Sequence, residues 1–249
     1  MKVTAESYTH EFHFLSKHEV FFDRQQNYRP NYKYVDVFGD FWCFLFAKIP
    51  QNSVSVTLGE NTLAVEGKVG ILVPPHSIVQ WTVQHPQLNW FAYSNNAPYP
   101  HSFPKDITVY KLTEIPEIVS PAWITQLVLD HNDTTTVKFF GINPYALKLK
   151  ALLDIEYKLN KPLNEYSTEL GLSKEWLIKY FKKSYGITPV DYRNKKRIME
   201  TLFLLHVESE KIVDLSQSMG FNDLKHFNAL FKKAISLPPS KFISRDHSL

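Results

Sequence analysis

The C-terminal part of this 249-residue chain carries one kind of unit twice. In the first copy, Leu163 to Gly186, the run Leu163-Asn-Glu-Tyr-Ser-Thr-Glu-Leu-Gly-Leu-Ser173 leads into Trp176-Leu-Ile-Lys-Tyr-Phe-Lys-Lys183. In the second, Ile212 to Ser236, Ile212-Val-Asp-Leu-Ser-Gln-Ser-Met-Gly-Phe221 leads into His226-Phe-Asn-Ala-Leu-Phe-Lys-Lys233. Each copy is a short helical pattern, a tight turn at a glycine, and a second amphipathic helix closing on Phe-Lys-Lys. That is the sequence form of a helix-turn-helix. One match constrains little. Two in tandem confine the region to a small helical domain and point to a DNA reader.

The charge balance agrees. Residues 1–144 hold 10 Lys/Arg against 13 Asp/Glu, net −3, whereas residues 145–249 hold 18 against 12, net +6. The positive half is the half with the repeat, as expected when one domain meets phosphate and the other does not. The length fits one or two domains, and 44% hydrophobic residues suffice for real cores. No stretch approaches the apolar length of a membrane span, and the start has no apolar signal-peptide core. Cys43 is the single cysteine. It forms no internal disulfide and suits a reducing cytoplasm, as a small buried hydrophobe.

Up to about residue 110 the pattern is β. Val54-Ser-Val-Thr-Leu and Val79-Gln-Trp-Thr-Val alternate, and Thr62-Leu-Ala-Val, Gly70-Ile-Leu-Val and Leu88-Asn-Trp-Phe-Ala-Tyr are bounded by Gly, Pro or Asn. Short strands so spaced predict a β-sandwich or open barrel, without fixing strand order. Pro121 to Asp130 then reads as a helix, with Trp123, Leu127 and Val128 on one face. Asn143-Pro144 reads as an N-cap followed by proline at the first helical position. The boundary is placed at 142/143, giving an α+β chain: a β-rich first domain, residues 1–142, and an all-α second, residues 143–249. Within the second, Ser173 caps one helix and Gly186 stops it, and Thr188-Pro189 opens a helix to about Val207. By spacing this helix buries Tyr192, Ile198, Leu202 and Leu205 and exposes Arg193, Lys195, Lys196 and Arg197.

Tyr145 to Ile243 resembles the DNA-binding domain of the AraC family of bacterial transcription regulators. The matching positions include Leu170, Gly171, Ser173, Leu177, Phe181, Gly186, Pro189, Tyr192 and Arg197 in the first unit and linker. In the second they include Ile212, Asp214, Gly220, Phe221, Asn222, Asp223, Phe227, Phe231, Pro239 and Phe242. The chain departs from the family at Ser167, Ser216 and Thr201, where alanine is usual. It departs again at Ser236, where glycine is expected, and at Ile243, where arginine is. The serines need a local backbone acceptor for their hydroxyls. More loosely, Gly67-Lys-Val-Gly-Ile-Leu-Val-Pro-Pro-His76 resembles a strand of the family's cupin-like sensor domain.

The resemblance implies two recognition helices joined by a rigid linker and set into successive major-groove segments about 34 Å apart. Glu175, Ile178 and Lys179, with Trp176 beside them, match base-facing positions. Glu175 suits a cytosine amine, Lys179 guanine, and Ile178 a thymine methyl. Leu224, Lys225, His226 and Ala229 take the equivalent face of the second unit, which has fewer hydrogen-bonding groups and is expected to discriminate less. Lys182, Lys183, Arg193, Lys196, Lys232 and Lys233 are phosphate candidates, or else solvated surface charges. Double-stranded DNA is the partner implied, with RNA polymerase, a small-molecule effector and a second copy of the chain as further partners.

In the first domain, Phe38, Phe41, Trp42, Phe44, Phe46, Trp81, Trp90, Phe91 and Tyr93 exceed what a small sheet must bury. They either line an apolar effector pocket, for which Phe44, Trp81, Trp90 and His76 are the candidates, or form core and a dimer face. His10-Glu-Phe-His13 and His18-Glu19 are dense in metal-type ligands, but the His-x-His and later Glu of a metal cupin are missing. No Gly-rich phosphate loop or nucleophile elbow is present. The reading is therefore a regulator rather than an enzyme, with no catalytic residue, cofactor or metal assigned. The alternative is a metal-dependent cupin enzyme carrying a DNA-binding tail.

Overall fold

The computed structural model describes residues 2–4, 8–116, 119–138, 141–207 and 211–243. The chain divides into two compact units, residues 1–139 and 140–249.

The first unit is built on antiparallel strands β1 (Lys2–Thr4), β2 (Tyr8–Ser16), β3 (Glu19–Asn27), β4 (Tyr32–Val37), β5 (Trp42–Leu58), β6 (Asn61–Val73), β7 (Ile78–Val83), β8 (Gln87–Asn95), β9 (Ile107–Lys111) and β10 (Thr134–Val137), with one helix, α1 (Pro121–Asp130), before the last strand. The main path runs β1-β2-β3-β8-β5-β6-β9-β10, and β7 joins β4 to β5. β5 makes this possible by changing partners along its length. Trp42–Ala47 pairs with β8, and Val54–Thr57 pairs with β7. Between them the register with β6 shifts between Ile49 and Val54. Pro50 brings no N–H to that stretch, and Asn52 has φ 58°, so the strand bends there like a bulge. The result is one ten-stranded antiparallel sheet in which the bent β5 is shared between the β8 path and the β7–β4 branch.

The two faces of β5 account for the burial pattern. Trp42, Phe44 and Phe46 point to one face of β5, where Tyr93, Leu72 and Tyr110 meet Ile124 and Val128 of α1. On α1 Ile124 and the predicted Val128 are buried, while Trp123 and Leu127 of the predicted face are partly buried beside them. Cys43, Leu45 and Ala47 point to the other face, paired with Ser94, Ala92 and Trp90. Apolar side chains on both faces explain why residues 41–47 are a continuous apolar run instead of an alternating one. The Cys43 thiol is pushed up to about 12, chiefly by burial, which keeps it protonated.

The second unit is helical: α2 (Pro144–Glu156), α3 (Leu163–Leu170), α4 (Lys174–Tyr185), α5 (Pro189–Val207), α6 (Ile212–Ser218), α7 (Leu224–Ile235) and α8 (Pro239–Ile243). Local chemistry fixes the ends. Asn143 caps α2 through bonds from the Tyr145 and Ala146 amides, and Ser173 caps α4 through the Trp176 amide. Asp223 caps α7 through the Lys225 amide. α4 and α7 both end in a left-handed residue, Gly186 at φ 71° and Ser236 at φ 65°. The Ser167 and Ser216 hydroxyls donate to the Asn164 and Val213 carbonyls, the local acceptors that serine requires at these positions. The Thr201 hydroxyl likewise donates to the Arg197 carbonyl.

Candidate nucleic-acid interface

In α4 the inward side chains are Leu177, Phe181, Ser184 and Tyr185. Glu175, Lys179, Lys182 and Lys183 repeat the same spacing two residues earlier, about 200° around the helix, and all four are exposed. They therefore form one outward stripe. Trp176 flanks it, half-buried, stacked on Tyr180 at 3.9 Å between ring centroids and edge-on to Tyr145 at 5.5 Å. Ile178 lies half-buried on the opposite flank.

α7 repeats the arrangement. Phe227, Phe231 and Ile235 are its core, and Lys225, Ala229, Lys232 and Lys233 are its exposed stripe. These four stand in register with Glu175, Lys179, Lys182 and Lys183. His226, the counterpart of Trp176, is exposed beside the Phe221 ring. Leu224 is half-buried at the first position of the helix and stands in register with Lys174, so it does not join the stripe. Sequence reasoning missed Asn228, the half-buried counterpart of Ile178. Aligning the two copies on their shared Phe-Lys-Lys ending would have found it.

The lysines on α5 divide differently from the expectation of an exposed cationic face. Lys195 is exposed, but Lys196 and Arg197 are buried and Arg193 is half-buried. Lys196 is consequently no phosphate contact. Its Nζ donates to the Asp154 carbonyl at 2.8 Å and lies 3.4 Å from the Asp154 carboxylate. Burial lowers its pKa, and Asp154 opposes that shift. Asp154 also accepts from the Tyr192 hydroxyl and pairs with Lys150 at 2.6 Å. Arg193 donates to the Lys161 carbonyl at 2.5 Å, and Arg197 donates to the carbonyls of Tyr157 at 2.5 Å and Leu159 at 2.9 Å. The physical reason is the end of α2. The carbonyls at its end have no helical partner and carry the negative end of the helix dipole, so Lys196 turns inward to Asp154 and Arg197 to the cap residue Tyr157, while Arg197 and Arg193 also serve the Leu159 and Lys161 carbonyls of the segment that follows.

The four effector-pocket candidates do not converge. Phe44 packs on the α1 side of β5. Trp90, opposite Ala47, lies on the other face and meets Trp81 at 5.6 Å between centroids. The Trp90 indole donates to the Tyr28 hydroxyl, and Tyr34 stacks on Trp81. His76 sits in the turn before β7, with φ 60° and Nε2 3.5 Å from Asp40. Of the surplus aromatics, Phe91 stays exposed and the rest are core. The N-terminal histidines also separate. His10 is buried on β2, His13 is exposed beside Glu11, and His18 bonds Asn96. Among the described residues no group of three or more His, Cys, Asp or Glu is placed to hold a metal, and no helix is long and apolar enough to cross a membrane.

Two helix-turn-helix units in register, each with an apolar inner face and a lysine-bearing outer stripe, define a tandem DNA-binding domain. The comparisons place it more closely. A family model described as "Helix-turn-helix domain" matches residues 166–245. The Msm operon regulatory protein of Streptococcus mutans is 30% identical over 98 residues, 39% of this chain and 35% of that protein. The HTH-type transcriptional activator RhaS of Klebsiella pneumoniae is 32% identical over 75 residues, 30% of this chain and 27% of that one. The structure of ToxT from Vibrio cholerae aligns over 96% of this chain and 98% of that one, at 13% identity and a TM-score of 0.47. The chain thus carries a C-terminal helix-turn-helix domain of the AraC type. It spans about a third of the length of the two curated relatives named.

Proposed function

We propose that this chain is a sequence-specific duplex-DNA-binding transcription regulator. The observation that carries the reading is the registered pair of outward stripes, Glu175/Lys179/Lys182/Lys183 on α4 and Lys225/Ala229/Lys232/Lys233 on α7. In each, the position nearer the helix start faces base edges and the Lys-Lys pair in the last turn faces phosphate. Arg193 and Lys196 leave the phosphate set, and Asn228 joins the base-facing set. An Asn at that position suits the N6/N7 edge of adenine. The second helix-turn-helix therefore has more reading capacity than Leu224, Lys225, His226 and Ala229 alone give it.

The first unit is the regulatory half in this reading. It takes a small-molecule effector or a second copy of the chain, and its state alters how the second unit meets DNA. Support comes from its different charge, −3 against +6, and from the aromatic belt of Tyr28, Tyr34, Trp81 and Trp90. Duplex DNA in the cytoplasm is the target, and RNA polymerase is the machinery whose access changes. The test is selection of duplexes from a random pool by the full chain, followed by a salt titration. Enrichment of one motif with two half-sites about one helical turn apart, bound more weakly as salt rises, is the expected result. Recovery of unenriched sequence would refute specific reading, and no duplex binding at low salt would refute the function.

A further inference from the structure

α2 lies outside the two helix-turn-helix motifs, yet its first turn is tied to the DNA-facing side of α4. The Tyr145 ring stands edge-on to Trp176 at 5.5 Å, and Trp176 occupies the first turn of α4. Lys148, one turn further along α2, holds its Nζ 5.5 Å from the Tyr145 ring centroid. Both Tyr145 and Lys148 are exposed. The amides of Tyr145 and Ala146 are already taken by the Asn143 cap, which leaves the lysine and the tyrosine hydroxyl as the groups that can meet a ligand.

Groove dimensions say what they would meet. A helix with its side chains is about 10–12 Å across, and the B-DNA major groove is about 12 Å wide. A recognition helix seated there fills it, so anything packed on the flank of that helix lies against the groove wall, which is phosphate and sugar. The first turn is also the deepest part of a recognition helix in the groove. We propose that α2 is a third DNA-contacting element, with Lys148 paired to a backbone phosphate and the Tyr145 ring and hydroxyl set on the same strand beside it. The inference rests on the DNA-binding reading above. It assigns a contact that positions the first helix-turn-helix without reading sequence.

The test uses the full chain and two duplexes, one selected for binding and one unrelated, across a salt series. Lys148→Ala is expected to lower the slope of log affinity against log salt by about 0.9, the value for one phosphate, and to weaken binding to both duplexes by up to about eightfold at 0.1 M salt. Lys158→Ala, an exposed lysine beyond the other end of α2, is expected to leave the slope unchanged. Tyr145→Phe keeps the ring against Trp176 and should weaken both duplexes without altering the slope. A wild-type slope for Lys148→Ala, while Lys183→Ala lowers it, would overturn the inference and leave the DNA-binding reading standing. Equal slope changes for Lys148→Ala and Lys158→Ala would reduce the effect to overall charge and also overturn it. Absence of duplex binding by the wild-type chain would overturn both readings.

Discussion

The Arg197 guanidinium lies 5.2 Å from the centroid of the Phe221 ring while donating to the Tyr157 and Leu159 carbonyls. One side chain of the linker helix thus touches the end of α2, which packs on the first helix-turn-helix, and the turn of the second. Burial, with the nearby charge of Arg193, lowers its pKa to about 10, so it stays cationic at neutral pH. The contact orients the second helix-turn-helix on the first through α5.

Arg197→Ala takes the donor from the buried Tyr157 carbonyl and from the Leu159 carbonyl and removes the ring contact, so the helical unit is expected to lose about 3 kcal/mol. Arg197→Lys should recover only part of this, because an ammonium cannot make the planar fork that reaches both carbonyls and stacks on Phe221. Urea unfolding of the full chain, followed by helical circular dichroism, measures both. Wild-type stability for Arg197→Lys would show that the fork geometry is immaterial.

Two backbone positions in the second unit are expected to respond in opposite directions. Gly220 has φ 80°, and a Cβ there would fall on the Lys158 carbonyl and against Arg197. Gly220→Ala combines a left-handed penalty of about 1–2 kcal/mol with a backbone clash, so it should destabilise by more than that penalty alone. Ser236 holds φ 65° where a glycine would be unstrained. Ser236→Gly should therefore stabilise by about 0.5–1 kcal/mol after the entropy of glycine in the unfolded chain is subtracted. Thermal unfolding of the two variants in parallel tests the pair of signs.

The residues whose placement could be read from the chain are those whose surroundings are local. Asn143, Ser173 and Gly186 mark helix ends by their own chemistry, and Leu177, Phe181, Phe227 and Phe231 follow a period that needs no knowledge of neighbours. Lys196 and Arg197 defeated the same reasoning. Their spacing places them on a polar face, and only the arrival of the α2 C-terminus, about forty residues upstream, turns that face into an interior. Likewise residues 42–47 carry no alternation because both faces of β5 are covered there. The grouping of Phe44 with Trp90 failed for that reason: adjacent strands put them on opposite sides of one sheet, a fact of register that composition does not contain.

His10 ties the stability of the β-rich unit to pH. It is buried on β2 opposite Arg24, with Phe12 and Phe22 rings at 5.6 and 6.2 Å between centroids. Burial first, then the Arg24 charge, lowers its pKa from 6.5 to about 3. Between those values the unfolded chain holds a proton that the folded chain does not. The contribution is therefore complete above pH 6.5 and is lost as pH falls toward 3, at no more than about 1.4 kcal/mol per pH unit. His10→Phe removes this titration and packs among the same rings. Urea midpoints of the β-rich unit for the two proteins should diverge with a shallower acid slope for the variant. Parallel slopes between pH 6.5 and 4 would mean that His10 is not neutral in the fold.

In the proposed reading, Lys179 and Asn228 are the positions at which base reading can be tested against phosphate holding. Both sit one turn into a recognition helix, Lys179 on the exposed stripe of α4 and Asn228 on the flank of α7. If each reads a base edge, Lys179→Ala should cost about 1–3 kcal/mol of discrimination between the selected duplex and one altered in its first half-site. Asn228→Ala should do the same for an alteration in the second half-site, and each should leave affinity for unrelated DNA nearly intact. Lys183→Ala and Lys233→Ala, at the phosphate end of the same stripes, should weaken every duplex alike and each lower the salt slope by about 0.9. Competition binding with single-position duplex variants distinguishes the two patterns. A loss for Lys179→Ala that is equal on all sequences would move it to the phosphate set, and unchanged preference in the second half-site for Asn228→Ala would remove Asn228 from the base-facing set.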